Sequence, residues 1–230
     1  MSHTIPMRVI AHIHSDFPTK FGIPRQSGLA DAPARIVFEP EYRNADALRG
    51  IEGFSHLWLL WHFSKAAREG WSPTVRPPKL GGNKRVGVFA TRSPFRPNAI
   101  GLSSVRLDRV ELQTLDGPVL HIAGADLMDG TPILDIKPYL AYTDAHPDAV
   151  GGFADPVLQR ALPVDCPPAL LEHLPENRRE ALLAMLAQDP RPGYQHEPER
   201  IYGFLFAGYE VRFTATNDRV TVISIEPAER

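Results

Sequence analysis

The chain has 230 residues, a hydrophobic share of 43% and a formal net charge of −2. That fits one large globular domain or a domain with a small appendage, and it excludes a disordered or uniformly cationic chain. Cys166 is the one cysteine, so no intrachain disulfide forms and a reducing compartment is expected.

Met1-Ser2-His3-Thr4-Ile5-Pro6 lacks a basic start followed by an apolar run, and Leu57 to Phe63, the most apolar stretch, is far short of the ~20 residues that span a bilayer. A soluble, cytoplasmic protein with no membrane association is therefore expected. Proline, at 23 residues, stands at roughly twice its usual share, which implies many fixed loops and few long helices.

The first two thirds of the chain read as strands between Gly/Pro punctuation. Met7 to Ile13 alternates as an opening strand, residues 21–28 form a loop, and Ala34 to Phe38 is a second strand. Asn44 to Leu48 reads as one or two helical turns, capped by Asn44 and stopped at Gly50. Phe54 to Phe63 suits a buried central strand, Val86 to Ala90 a short one, and Ile100 to Leu112 a long one. Asp116-Gly117 and Asp129-Gly130 mark turns around returning strands at Val119 to Ile122 and Ile133 to Ile136.

After a linker rich in Pro, Gly and Asp from Thr143 to Pro168, the composition shifts. Glu176 to Gln188 reads as an amphipathic helix, and Ile201 to Phe206, Tyr209 to Thr214 and Val220 to Ile225 read as strands. The fold expected is mainly β: a β-barrel or sandwich in front, and a small α+β C-terminal domain behind. The boundaries expected are 1–145, a linker over 146–164, and 165–230.

Two clusters carry chemistry. Val88 to Leu102 packs two arginines, two prolines, two phenylalanines, an asparagine and a glycine between apolar runs. Prolines hold a loop in one shape, and a rigid loop carrying Arg92 and Arg96 suits phosphate, carboxylate or nucleotide. No acidic residue occurs between Glu69 and Asp108, a window that holds Arg76, Lys79, Lys84, Arg85 and Arg106 with Trp71, Phe89 and Phe95. Cations neutralise phosphates and aromatics stack unpaired bases, although such a run also serves as a plain solvated face.

The second cluster, Asp126 to Tyr139, places three carboxylates, a lysine and a tyrosine within fourteen residues. Asp135 and Lys137 share one strand face, as an ion pair or as part of a site. The sequence contains no Gly-x-Ser-x-Gly, no P-loop and no Gly-x-Gly, so serine-hydrolase, P-loop and Rossmann readings lose support. His12 and His14 share a strand face, but no Cys or His pair has familiar zinc spacing, and no metal is expected.

Pro24-Arg25-Gln26, Phe54-Ser55-His56-Leu57-Trp58, Arg76-Pro77-Pro78, Gly87 to Gly101, Asp129 to Tyr139 and Leu186 to Pro192 closely resemble, in this order, the motifs of the TsaA/TrmO-like family. The resemblance implies an S-adenosylmethionine-dependent methyltransferase on a non-Rossmann β-barrel, forming homodimers. It implies action on the exocyclic amine of threonylcarbamoyl-adenosine, next to the anticodon of a threonine tRNA.

Motif by motif, it implies cofactor contacts at Pro24, Arg25, Gln26, Arg92, Leu102, Asp129, Gly130, Thr131 and Pro132. Ser64-Lys65 stands where relatives carry His or a Gln/Asn pair, so a contact there runs through the backbone or differs in this chain.

The weak adenine amine needs an acceptor for its proton, and Asp129 and Asp135 are the candidates, beside a backbone carbonyl. Arg92 suits the cofactor carboxylate or a phosphate. Lys79, Lys84, Arg85 and Arg96 suit the backbone of the tRNA anticodon loop. The competing readings are a non-catalytic RNA-binding barrel with a nucleotide-like ligand, and a metal-dependent hydrolase built on the carboxylates near Asp135.

Overall fold

Alternating apolar and polar residues close the front of the chain into a barrel. The computed structural model describes residues 4–66, 70–77, 84–154, 161–191, 197 and 199–228. In chain order, β1 (Ala11–Ser15), β2 (Pro33–Phe38) and β3 (His56–His62) precede a small hairpin of β4 (Thr74–Val75) and β5 (Val86–Gly87). β6 (Ile100–Glu111), β7 (Val119–Ala123) and β8 (Pro132–Pro138) follow.

Six of these form a closed barrel in the order β1-β2-β7-β6-β3-β8, with every neighbouring pair antiparallel. Closure leaves no free sheet edge. Ile13, Ile36, Leu57, Leu59, Ile122 and Ile133 fill the interior.

Local chemistry moves some boundaries. The opening strand begins at Ala11 rather than Met7. Val88–Ala90 is a 3-10 turn rather than strand, because Thr91 donates to the Val88 carbonyl through both its backbone N–H (3.1 Å) and its Oγ1 (2.8 Å). β3 is not buried on both faces: Trp58, Leu60 and His62 point outward, half-buried. Asn44 caps the Ala45–Leu48 turn, its side chain accepting from the Asp46 N–H.

The C-terminal unit is a second sheet of β9 (Val164–Asp165), β10 (Tyr202–Phe206), β11 (Tyr209–Ala215) and β12 (Val220–Pro227). Its order is β10-β11-β12-β9, with β9 parallel to β12. The two residues of β9 lie in the Pro-rich linker, too few to carry a readable period. The Glu176–Ala187 helix packs Ala181, Leu182, Met185 and Leu186 into the core of this unit.

That core is completed from the other end of the chain. Phe17, Ala30 and Ala32, all in the β1–β2 connection, are buried in it, and Phe21 and Ile23 pack against it. Phe17, only 2% exposed, contributes about 1.5–3 kcal/mol by burial alone. Asp16 pairs with Arg178 at 2.8 Å, and its carbonyl accepts from Ala207 at 3.2 Å. Gly22 has φ +94°, and a Cβ there would lie 2.4 Å from the Phe204 ring. The β1–β2 connection is thus clamped by the C-terminal unit.

Candidate active site at the barrel mouth

Antiparallel register brings the ends that carry the sequence clusters to one mouth of the barrel. Ser15 of β1 faces Ala34 of β2, Pro33 faces Ala123 of β7, His62 of β3 faces Ile100 of β6, and Trp61 faces Ile133 of β8. The loops after β1, β3 and β7 and the loop before β6 therefore converge there. Both dense clusters of the sequence meet at this end.

Pro24, Arg25 and Gln26 sit on the clamped loop. Pro24 is buried. Arg25 turns away from the mouth: its Nη2 donates to the carbonyls of Asp189 (2.9 Å) and Arg191 (3.0 Å) in the C-terminal unit. Burial pulls its guanidinium below the ordinary value, with Asp189 opposing. Gln26 points the other way and accepts a hydrogen bond from Arg92 Nη1.

The Asp189 and Arg191 carbonyls are themselves held by a buried hub. Arg191 is 5% exposed, grips both oxygens of Asp189 at 2.8 and 2.9 Å, and donates to the carbonyls of Ala215 (2.6 Å) and Thr216 (2.8 Å). Asp189 and Arg191 of the Leu186 to Pro192 motif thus anchor the loop that presents Gln26.

Inside the mouth lies a polar chain that the sequence reading did not single out. Trp61 Nε1 donates to Ser103 Oγ at 3.0 Å, and Ser103 Oγ donates to Asp126 Oδ1 at 2.5 Å. Ser103 is 1% exposed. Burial pushes the Asp126 carboxyl above the usual carboxylate range. The Ser103 hydroxyl, the backbone at Asp126 and Ser27 and the charge of Arg92 pull in the opposite direction. Asp126 thus faces the same loops as Gln26 and Arg92. A small polar residue at an inward position of an apolar alternation, Ser103 between Gly101 and Val105, was the available signal. Gly101 is required there, since a Cβ would fall 2.2 Å from Trp61 Cε2.

The two carboxylates favoured from sequence are engaged elsewhere. Asp129 Oδ1 accepts from the Ser15 N–H at 3.0 Å and lies 3.7 Å from His14 Nδ1. Asp135 pairs with Lys137 at 3.0 Å, the ion pair that their shared face implied. Gly130 adopts φ +73°, a conformation that favours glycine, and buried Thr131 closes the turn through Oγ1 to the Met128 carbonyl at 2.6 Å. Pro132 opens β8 and pairs with His12 of β1.

Ser64 and Lys65 form an exposed turn after β3, and Lys20 of the clamped loop donates to the Lys65 carbonyl. Leu102 points outward from β6, 50% exposed. Beside it, on the same face of β6, a groove of about 600 Å³ is lined by Met7, Val9, His62, Trp71, Arg96 and Leu134 among others.

Of the expected RNA contacts, Lys79 lies outside the described residues. Lys84 and Arg85 are exposed ahead of β5. Arg96 folds back on its own loop, with Nη1 donating to the carbonyls of Thr91 (2.9 Å) and Ser93 (3.5 Å). Trp71 and Phe89 stack with centroids 6.2 Å apart and stay exposed at 52% and 72%. Among the described residues, no cluster of three or more His, Cys, Asp or Glu is placed to hold a metal ion, and no helix is long and apolar enough to cross a membrane.

Comparison with known proteins bears on both halves of the chain. Residues 12–145 match the tRNA-methyltransferase O N-terminal domain, and residues 160–228 match the TrmO C-terminal domain. The chain is 41% identical over 227 residues to the tRNA (adenine(37)-N6)-methyltransferase of Escherichia coli K12, covering 95% of this chain and 96% of that one. It is 45% identical over 221 residues to a putative S-adenosylmethionine-dependent methyltransferase, RcsF, of Pseudomonas aeruginosa, covering 88% of each chain. A crystal structure of TrmO from Pseudomonas aeruginosa superposes with a TM-score of 0.79 at 36% identity, covering 99% of both chains.

Proposed function

The chain belongs to the tRNA-methyltransferase O family, and on that premise we propose that it transfers a methyl group from S-adenosylmethionine to the exocyclic N6 of the adenine at position 37 of tRNA. The finer reading is that the adenine is threonylcarbamoyl-adenosine in a threonine tRNA. The observation that carries the proposal is the convergence of the clamped loop and the Arg92 loop on one barrel mouth, where Gln26, Arg92 and Asp126 meet.

The residues of this mouth fit such a cofactor. Arg92 is exposed and spends one donor on Gln26, which leaves donors for the carboxylate of the methionine moiety. When bound, the cofactor supplies an electrophilic methyl carbon. We assign its contacts to Pro24, Gln26, the Ser64–Lys65 turn and the Asp129–Pro132 turn on the loops of this mouth, with Arg25 keeping Gln26 in place, while Leu102 stands apart on the outward face of β6. These residues contribute chiefly orientation, which is worth about 7–11 kcal/mol in well-aligned reactions.

The target base leaves its loop stack and lies against the exposed Trp71–Phe89 pair, while Lys84 and Arg85 meet the phosphates. We place the protein in the cytoplasm as a homodimer, a state that sedimentation equilibrium tests directly. Mass spectrometry of tRNA nucleosides from cells with and without the gene tests the reaction. Loss of one methyl from the hypermodified adenosine, restored by the purified protein with S-adenosylmethionine, is the expected result. An unchanged nucleoside profile refutes it.

A further inference from the structure

The Asp126 to Tyr139 cluster holds three carboxylates, and two of them are spent. Asp129 is 46% exposed and takes the Ser15 amide beside His14; Asp135 is 41% exposed and paired to Lys137. Asp126 differs in each respect. It lies three residues beyond the end of β7, is half-buried between three loops, and carries no direct ion pair among the described residues. Its Oδ1 is fixed by Ser103, and Ser103 is fixed by Trp61. The charged side chain whose field reaches it is Arg92, the same side chain that meets Gln26. Keeping a carboxylate half-buried without a direct ion pair costs stability, and groups kept so in a cleft are candidates for chemistry.

Resting on the methyltransferase reading above, we propose that the Asp126 carboxylate accepts the proton that the target amine loses as its nitrogen takes the methyl group. The N6 lone pair is delocalised into the ring, so the nitrogen is a weak nucleophile whose N–H turns acidic as the new bond forms. The nitrogen–carbon bond forms as the carbon–sulfur bond breaks, and the electron pair passes to the sulfonium sulfur, which leaves as a neutral thioether. The N–H proton moves to Asp126, which becomes a neutral carboxylic acid and later returns the proton to water. Burial favours that neutral form, which makes Asp126 a stronger base than an exposed carboxylate. Ser103 and Trp61 act as positioning residues, holding Oδ1 so that the other oxygen faces the mouth.

The test compares wild type, Asp126→Asn and Asp126→Glu. Asp126→Asn preserves shape, so its affinities for S-adenosylmethionine and tRNA by titration stay within about threefold of wild type. Its single-turnover methyl transfer at saturation falls by about 10²–10⁴, the usual worth of a positioned base, while Asp126→Glu recovers part of that loss. In the free protein, a carboxyl-carbon NMR titration finds one Asp, absent from Asp126→Asn, that titrates above the ordinary range. The wild-type rate rises with pH through that same value.

An Asp126→Asn variant within tenfold of the wild-type rate, or one whose defect disappears at saturating cofactor, overturns this inference while leaving the methyltransferase reading intact. A wild-type protein that methylates no tRNA overturns both.

Discussion

Replacing Gly101 by Ala tests the packing that orients the polar chain inside the mouth. By strand propensity alone the change stabilises by roughly 0.5–1 kcal/mol, since glycine loses more freedom on folding. The structure demands the opposite sign. The new Cβ would stand 2.2 Å from Trp61 Cε2, 2.4 Å from Cζ2 and 2.6 Å from Cδ2. Carbon atoms rest at about 3.5–4.0 Å, so the indole must retreat by roughly 1.5 Å. It has little room, being 8% exposed and packed 4.2 Å from the Phe63 ring centroid.

Overpacking of this kind costs about 1–3 kcal/mol, and losing the Trp61–Ser103 hydrogen bond adds about 1 kcal/mol. Set against the propensity gain, the net loss is about 1–3.5 kcal/mol. At about 2–4 °C per kcal/mol for a chain of this size, Tm falls by roughly 2–14 °C. Urea denaturation followed by far-ultraviolet circular dichroism measures the loss, and a cycle with Trp61→Leu isolates its cause. With the indole gone, Gly101→Ala becomes neutral or stabilising. An unchanged or raised Tm for the single variant, or the same cost in both backgrounds, refutes the close approach of ring and backbone.

Three further outcomes are expected. Gly22→Ala forces a side chain into φ +94° and against Phe204, so urea denaturation shows a loss of about 2–4 kcal/mol, centred on the C-terminal unit. Asp144 is held below the ordinary carboxylate value by the Leu140 N–H and the Trp58 indole. Its stabilisation is therefore present above the unfolded value near ~3.9 and lost as pH falls through the lower folded one, and Asp144→Asn removes that acid-side step from a Trp58-based fluorescence titration. Replacing Lys84 and Arg85 together by Ala lowers the slope of log binding against log salt by about 1.5–2 in tRNA filter binding, and an unchanged slope removes both from the RNA contact.

Much of the architecture was legible before any coordinates. The alternations at Ala34 to Phe38 and Ile100 to Leu112, the Asp-Gly turns and the 176–188 period each mark the element that forms there, because each is a local pattern with a local cause. Local patterns alone left barrel and sandwich open, since strand order depends on pairings that no short window contains, and the family resemblance chose the barrel that forms. The Val88–Ala90 turn hid because Thr91, just beyond the apolar run, redirects the backbone. At the site, the sequence brought forward the loops but not the half-buried carboxylate. Asp129 and Asp135 stand in conspicuous turn and strand positions, whereas Asp126 owes its raised carboxyl to burial in the folded mouth, where Ser103, 23 residues earlier, and Arg92 oppose the rise.

Arg25 and Gln26 show how neighbouring residues of one motif divide their work. In sequence they look alike, two polar groups in a Pro-rich loop. Folded, they point to opposite sides of the chain: Arg25 to carbonyls more than 160 residues away, Gln26 to Arg92 at the mouth. The first contact sets the geometry of the second, because a loop held by Phe17, Ala30 and Ala32 in the C-terminal core has little freedom to carry Gln26 elsewhere. The Arg191 hub therefore reaches the mouth through one loop. It fixes the Asp189 and Arg191 carbonyls, which fix Arg25, which fixes the backbone that presents Gln26 to Arg92. The C-terminal unit is thus a structural part of the mouth, although among the described residues that meet there none belongs to it.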